Sequence, residues 1–233
     1  MRWTVGEILV GCISTLAFTV PCAFADEAGG ARAPAWTDSA ATRVEALALL
    51  ETLNAELLSH DSATLTLDRW CEAHKMATPA KIVAERVHDT DKEPAEEVRK
   101  LLAVGATEPV RYRHVRLRCG MHVLSEADNW YVPARLTADM NKVLDTTDTP
   151  FGRAVQELHF QRRTLTARLL WSPLPQGWEM AATLTGANKG LLQIPPQTIQ
   201  HQAVLTLPDN TPFSVVVETY TNEILSFPQP PHP

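Results

Sequence analysis

Several kinds of chemistry are excluded by what this sequence does not contain. No glycine-rich phosphate loop and no nucleophile-elbow string occurs, and His60, His74, His88, His114, His122, His159 and His201 are scattered without paired metal-ligand spacing to cysteine or acid. Surplus positive charge is absent: the formal net charge is -6, which argues against a nucleic-acid partner or an anionic membrane held by electrostatics. No apolar run is long enough to cross a bilayer, the longest being residues 8–20. Aromatic residues make up only 6% of the chain, and Trp70 and Trp130 fall where packing explains them, so no aromatic cage is assigned. Cysteine is scarce, with Cys12 and Cys22 near the amino terminus and only Cys71 and Cys119 beyond it.

What is present starts with an export signal. Arg2 supplies a positive start, residues 8–20 the apolar centre, and Ala23-Phe24-Ala25 the small residues that signal peptidase requires, placing the cut before Asp26. Cys22 would suit a lipid anchor only with a small residue just before it, and Thr19-Val20-Pro21 supplies none. The mature chain is therefore expected to be periplasmic or secreted, without a membrane anchor. In that compartment Cys71 and Cys119 can pair in one way only, the other reading being that Cys71 is a small buried hydrophobe on a helix face. With 45% apolar residues the remainder can bury one core without staples. The expected organisation is a signal peptide over 1–25, a flexible lead-in over 26–40, one domain over 41–226 and a Pro-rich tail over 227–233 that frays.

Periodicity then places the elements. Val44, Leu47, Leu50, Leu53 and Leu57 predict an amphipathic helix over 41–59; Leu67, Trp70, Cys71 and His74 predict a second, capped by a hydroxyl of Ser62, Thr64 or Thr66, with His74 packing rather than liganding. A strand is expected over 81–87, then a short helix after Glu93-Pro94 whose acids and Arg99-Lys100 match the helix dipole. Residues 110–119 and 123–132 read as a hairpin around Gly120-Met121, and 136–146 as a helix capped by Thr137 with Leu136, Met140, Val143 and Leu144 on one face. Residues 149–152 read as a break and 158–171 as a strand with a helical alternative. After an irregular excursion over 173–196, 203–207 and 213–220 form a closing hairpin around 209–212.

This order, with several local strings, resembles the chorismate pyruvate-lyase family, whose fold also serves as the ligand-sensing domain of certain bacterial transcription regulators. Thr149-Pro150-Phe151-Gly152-Arg153 resembles the family's Thr-Pro-Leu-Gly-Arg; residues 61–66 resemble its early Ser-Met-Thr segment, 113–119 its arginine-bearing strand and 212–220 its closing glutamate-bearing strand. The resemblance spans residues 42–225 and implies an α+β fold, a largely antiparallel sheet with helices packed around it, enclosing a site under mobile flaps. It also implies a small aromatic carboxylate as ligand and, in the enzymes, cleavage of chorismate to 4-hydroxybenzoate and pyruvate without metal or redox cofactor.

Such a ligand requires a fixed guanidinium for its carboxylate and a donor near a leaving oxygen. Arg113, on the strand face of Val115 and Leu117, is the first choice for the carboxylate, the alternative being an outward arginine paired with an acid. Glu218, beside Ser214, Val216 and Tyr220, resembles the family's active-site glutamate, which if buried could donate to a leaving oxygen. Phe151 and Gly152 match the position where backbone N–H groups meet the ligand, and Leu65 the apolar lid residue. Two features depart from the family. Asn129 or Asp128 stands where the lyases carry another arginine, and His201-Gln202-Ala203-Val204 replaces an arginine-rich stretch. Arg153, Arg162 and Arg163 are the candidates to restore that charge. The hairpin also needs a one-residue insertion near Gly120, without which His114 takes the place of Arg113. Reduced arginine content and export favour an aromatic-carboxylate binding protein; an active lyase is the second reading and a non-catalytic envelope interaction protein the third.

Overall fold

Ser39 starts the first helix with a reciprocal cap: its hydroxyl accepts from the Thr42 N–H at 3.1 Å while its own N–H donates to Thr42 Oγ1 at 3.0 Å. The computed structural model describes residues 36–88, 91–180 and 190–227, all within one compact unit, Ala33–Pro233. Helix α1 (Ala40–Leu58) buries Thr42, Ala46, Leu50, Leu53 and Leu57. The buried stripe is rotated from the expected one, because Val44 is 40% exposed while Ala46 faces inward. Ser62 caps α2 (Ala63–Ala73), accepting from the Leu65 N–H, and Leu67, Trp70 and Cys71 lie buried on its inner face. His74 packs as expected, its ring 4.0 Å from that of Trp70 and 4.1 Å from that of Phe227.

The fold is α+β, built on a six-stranded sheet in the order β1-β2-β3-β6-β5-β4, every neighbouring pair antiparallel. Its strands are β1 (Ile82–Val87), β2 (Arg111–Cys119), β3 (His122–Tyr131), β4 (Gln161–Leu169), β5 (Gln197–Thr206) and β6 (Pro212–Thr221). The β4 assignment removes the helical alternative for that stretch. Strands β1 to β3 follow one another as a meander and β4 to β6 as another, and the β3–β6 pairing joins the two. Gly120, at φ 57°, makes the β2–β3 turn, a left-handed conformation that costs glycine least.

Alternation sends the strand residues to two different layers. One face carries Val115, Leu117, Ala127, Val216 and Tyr220 into the core shared with α1 and α2. The other carries Trp130, Val204 and Val215, which pack on Val98 and Leu102 of and just beyond α3 (Glu96–Leu101), whose first turn is acidic and last turn basic. Helix α4 (Ala138–Thr146), capped by Thr137, and the one-turn α5 (Phe151–Ala154) close one end of the sheet against Tyr131, Phe160, Leu205 and Phe213. The expected break at 149–152 is thus shorter: the chain turns before Phe151 and resumes helical geometry there.

The boundaries also differ from the expected ones. Trp36, inside the stretch read as lead-in, is buried and donates its indole N–H to the Leu225 carbonyl at 3.1 Å; the Trp70 indole does the same to Ile224 at 2.9 Å. Phe227, counted with the tail, is buried beside both tryptophans. Apolar area and buried carbonyls therefore fix both ends of the domain. The expected signal peptide over 1–25 and the rest of the tail lie outside the described residues.

Cys71 and Cys119 are joined by a disulfide, tying α2 to the end of β2 across a sequence separation of 48. Closing a loop of that length removes conformations from the unfolded chain. Replacing both cysteines with alanine is expected to lower unfolding free energy by about 2–4 kcal/mol, read from urea midpoints of the two proteins. Equal midpoints would mean that the bridge contributes nothing.

Candidate functional site

The sheet register brings together residues that are remote in sequence. Arg113 of β2 lies opposite Asn129 of β3, which lies opposite Val216 of β6; one step along, Ala127 lies opposite Glu218. All of these face α2. Where the first turn of α2 and the first turn of α5 approach this face, they enclose a cavity of about 40 Å³. Its walls are mostly apolar, from Val115, Leu117, Phe151, Phe160, Leu205 and Val216, and its polar groups include Arg113, Asn129, Arg162 and Glu218. Four of the five residues expected in a site, Arg113, Phe151, Gly152 and Glu218, line this one cavity. Leu65 does not; it lines an adjoining depression of about 230 Å³ that shares Asp61, Ser62, Gly152 and Phe160 with the cavity.

Arg113 is 4% exposed. Its Nη2 donates to the Thr149 carbonyl at 3.1 Å, while Nε and Nη1 are buried with no hydrogen-bond partner among the described residues. Burial, with a smaller contribution from the Arg86 charge, pushes its pKa down to about 10, so it stays a cation at neutral pH. An irregularity in β2–β3 pairing at Leu117/Arg118 accounts for the extra residue in the hairpin, and it leaves Arg113 rather than His114 on the cavity side.

Glu218 is not free in the way a proton donor would be. Its Oε2 accepts from Arg162 Nη2 at 2.5 Å and from the Tyr220 hydroxyl at 3.2 Å. The two charged side chains are 4% and 8% exposed. Desolvation by itself lowers the Arg162 pKa; the Glu218 charge beside it reverses that, and the net shift is upward. Burial pushes the Tyr220 hydroxyl well above its ordinary range, reinforced by the Glu218 charge. His201, opposite Glu218 on β5, is fully buried; its Nε2 lies 2.8 Å from Asn54 Oδ1, and burial lowers its pKa.

Of the three arginines considered as replacements, Arg162 alone lines the cavity. Arg153 pairs with Asp68 at 2.5 Å, and Arg163 is exposed. Asn129 is the residue at the missing-arginine position that turns inward, accepting from the Ser214 hydroxyl at 2.6 Å; Asp128 faces the other side and pairs with Lys92 at 2.7 Å. Sequence reading did not find the network of Arg162, Tyr220 and His201. The signal available was two-residue spacing from Glu218 to Tyr220 and the pairing of His201 with Glu218 across the closing hairpin.

Gly152 has a packing reason. A Cβ there would stand 2.8 Å from Ser62 Oγ, the cap of α2, so only glycine lets α5 approach the cavity cover this closely. The N–H groups of Phe151 and Gly152 belong to the first turn, ahead of Arg153, whose N–H donates to the Pro150 carbonyl. Among the described residues no cluster of histidine, cysteine or acid could hold a metal ion, and no helix is long and apolar enough to cross a membrane.

No protein-family model matches the chain. A curated relative, the uncharacterized protein y4mC of Sinorhizobium fredii, is 63% identical over 196 residues, covering 84% of this chain and 83% of that one. Among solved structures, PhnF from Mycobacterium smegmatis aligns with TM-score 0.44 and 14% identity, covering 75% of this chain and 70% of that one. The possible transcriptional regulator YydK of Bacillus subtilis aligns with TM-score 0.39 and 16% identity over 64% of this chain and 62% of that one. The trehalose repressor effector-binding domain of B. subtilis gives TM-score 0.36 and 10% identity over 65% and 96%.

Glu218→Ala strands the Arg162 cation in a dry site and is expected to cost about 3–5 kcal/mol of stability. Replacing both residues, Arg162→Met with Glu218→Leu, removes the stranded charge and is expected to recover most of that loss. Urea denaturation of the three proteins reads both numbers. A single variant as stable as the parent would show that the pair is not desolvated.

Proposed function

Starting from the fact that the chain belongs to the family of protein y4mC of Sinorhizobium fredii, we propose that it is an exported binding domain that takes the carboxylate of a small aromatic acid on Arg113. That relative has no assigned activity, so the proposal rests on the cavity. The observation that carries it is a buried guanidinium on an apolar wall with two nitrogens unpartnered. Burying a cation without a counter-charge is costly, and a ligand carboxylate supplies both the charge and the acceptors. The N–H groups of Phe151 and Gly152 offer further donors at the same cavity.

Size decides how the ligand enters. A cavity of about 40 Å³ has room for a few waters but is well below the roughly 150 Å³ that accepts a benzene ring. Binding an aromatic acid therefore requires the wall of Ser62, Gly152 and Phe160 to shift, merging the cavity with the depression that Leu65 lines. Leu65 then meets the ring during entry rather than at rest. This agrees with the mobile flaps that the resemblance to the lyases implies.

The lyase reading has Arg113 and Glu218 on one cavity in its favour. Against it, Glu218 accepts two hydrogen bonds and is neutralised by Arg162, so it is an acceptor where the reaction needs a donor. Binding is the better reading. Export is supported by the signal-like amino terminus and by the disulfide, since such bonds persist in oxidising compartments.

In thermal denaturation, 4-hydroxybenzoate or a related acid is expected to raise the melting temperature of the mature protein, because a ligand that prefers the native state stabilises it. Arg113→Leu is expected to abolish that shift while leaving the unliganded protein as stable as the parent or more so, since it removes an uncompensated buried charge. If no aromatic acid shifts the parent, the binding reading fails; if chorismate incubated with it yields 4-hydroxybenzoate and pyruvate above background, the lyase reading replaces it. Export has its own check. Amino-terminal sequencing of the natively expressed protein is expected to begin at Asp26, and a chain retaining Met1 would contradict it.

A further inference from the structure

Arg113 also lines a second cavity, a polar cleft of about 360 Å³. The cleft lies where the end of β1, residues 91–94, the start of β2 and the ends of β3 and α4 meet. Its charged groups fall into two sets. Lys92 and Arg111 are already neutralised, pairing with Asp128 and Asp145, each at 2.7 Å. Arg86 and Arg113 are not: among the described residues neither has an acidic partner, and each gives a guanidinium N–H to a main-chain carbonyl, Asp145 and Thr149 respectively. Their charges act on one another, the Arg86 cation being one cause of the lowered Arg113 pKa. At the exposed edge of the same cleft stand Asp91 and Glu93, with no ion-pair partner among the described residues.

Among the described residues the cleft thus has two cations without an ion-pair partner, one of them deeply buried, and two such acids in solvent. We propose that it is a second ligand site, which takes a small zwitterion with its carboxylate on Arg86 and Arg113 and its ammonium toward Asp91 and Glu93. Two like charges lining one cleft call for an anion between them. The exposed acids add little affinity through screened contacts, but they repel a ligand with a second negative charge, which is selectivity by exclusion. A volume of about 360 Å³ lies within the range of small-molecule sites, roughly 300–1,000 Å³, so a molecule the size of an amino acid fits without the rearrangement that the inner cavity demands. The proposal depends on the placement of Arg113, not on the aromatic acid proposed for the inner cavity.

Calorimetric titration of the mature protein with glycine, β-alanine and 4-aminobutyrate, against acetate and succinate, tests it. At least one zwitterion is expected to bind at least tenfold more tightly than acetate, and succinate more weakly than either. Arg86→Gln is expected to weaken the zwitterion at least tenfold. Asp91→Asn combined with Glu93→Gln, both at exposed positions, is expected to erase the preference over acetate. Circular dichroism of each variant confirms folding, and the double variant keeps the test informative if Arg86→Gln does not fold. No binding by any zwitterion, equal affinity for acetate, or a preference that survives the double variant would overturn the proposal. The 4-hydroxybenzoate shift is read separately, so loss of that shift with zwitterion binding intact would remove the inner-cavity reading alone.

Discussion

Arg162 and Glu218 meet at 2.5 Å, on strands separated by β5, with both side chains almost sealed from water. Desolvating two such charges costs more than most interior contacts return, and the arrangement holds only while each neutralises the other and neighbouring groups take up the remaining lone pairs. Tyr220 donates to the same carboxylate, and His201 lies opposite Glu218 on β5 with its pKa lowered by burial. The polar interior is therefore self-compensated at this end. That balance makes Arg113 stand out, because it is the cavity's other arginine and, among the described residues, no carboxylate forms an ion pair with it.

The cover of the cavity is held unequally. Helix α2 is bonded through Cys71 to β2 at its carboxyl-terminal half, while its amino-terminal turn, with Ser62 and Ala63, forms cavity wall. Asp61 just ahead of it accepts from the Arg162 N–H at 2.8 Å, so the helix entry is latched to β4 by one side-chain contact. Among the described residues the carboxyl-terminal half of α2 thus carries a covalent anchor and its entry a hydrogen bond to β4, beside the depression lined by Leu65. Gly152 permits the close packing that shuts the cavity at rest.

Much of the architecture was legible from local pattern. Strand alternation placed β2, β3 and β6, the hydroxyls of Ser62 and Thr137 marked helix starts, and Gly120 marked the turn. Errors arose where packing overrides periodicity. Ala46 rather than Val44 faces inward on α1, because the helix is oriented by what covers it. Trp36 and Phe227 were assigned to loose ends by composition, yet each finds apolar neighbours and Trp36 a carbonyl acceptor across the fold. In the site, Arg113, Phe151, Gly152 and Glu218 were found through the family resemblance, whereas the role of Arg162 could not be read, since Arg153, Arg162 and Arg163 look alike until the strands are paired.

By itself the sequence determined where most helices and strands lie, the faces of β2 and β6 and the residue types available for chemistry, because these follow from period, capping and hydrogen-bond capacity within a few neighbours, while the class of fold came with the family resemblance. Only the tertiary structure decided which charges are compensated. Arg113 and Arg162 are alike in type, both on strands and both turned inward, yet among the described residues Arg162 meets a carboxylate and Arg113 meets none. Desolvation and Coulomb energy depend on distance and burial in three dimensions, and Arg162 and Glu218, which set them here, are 56 positions apart in the chain.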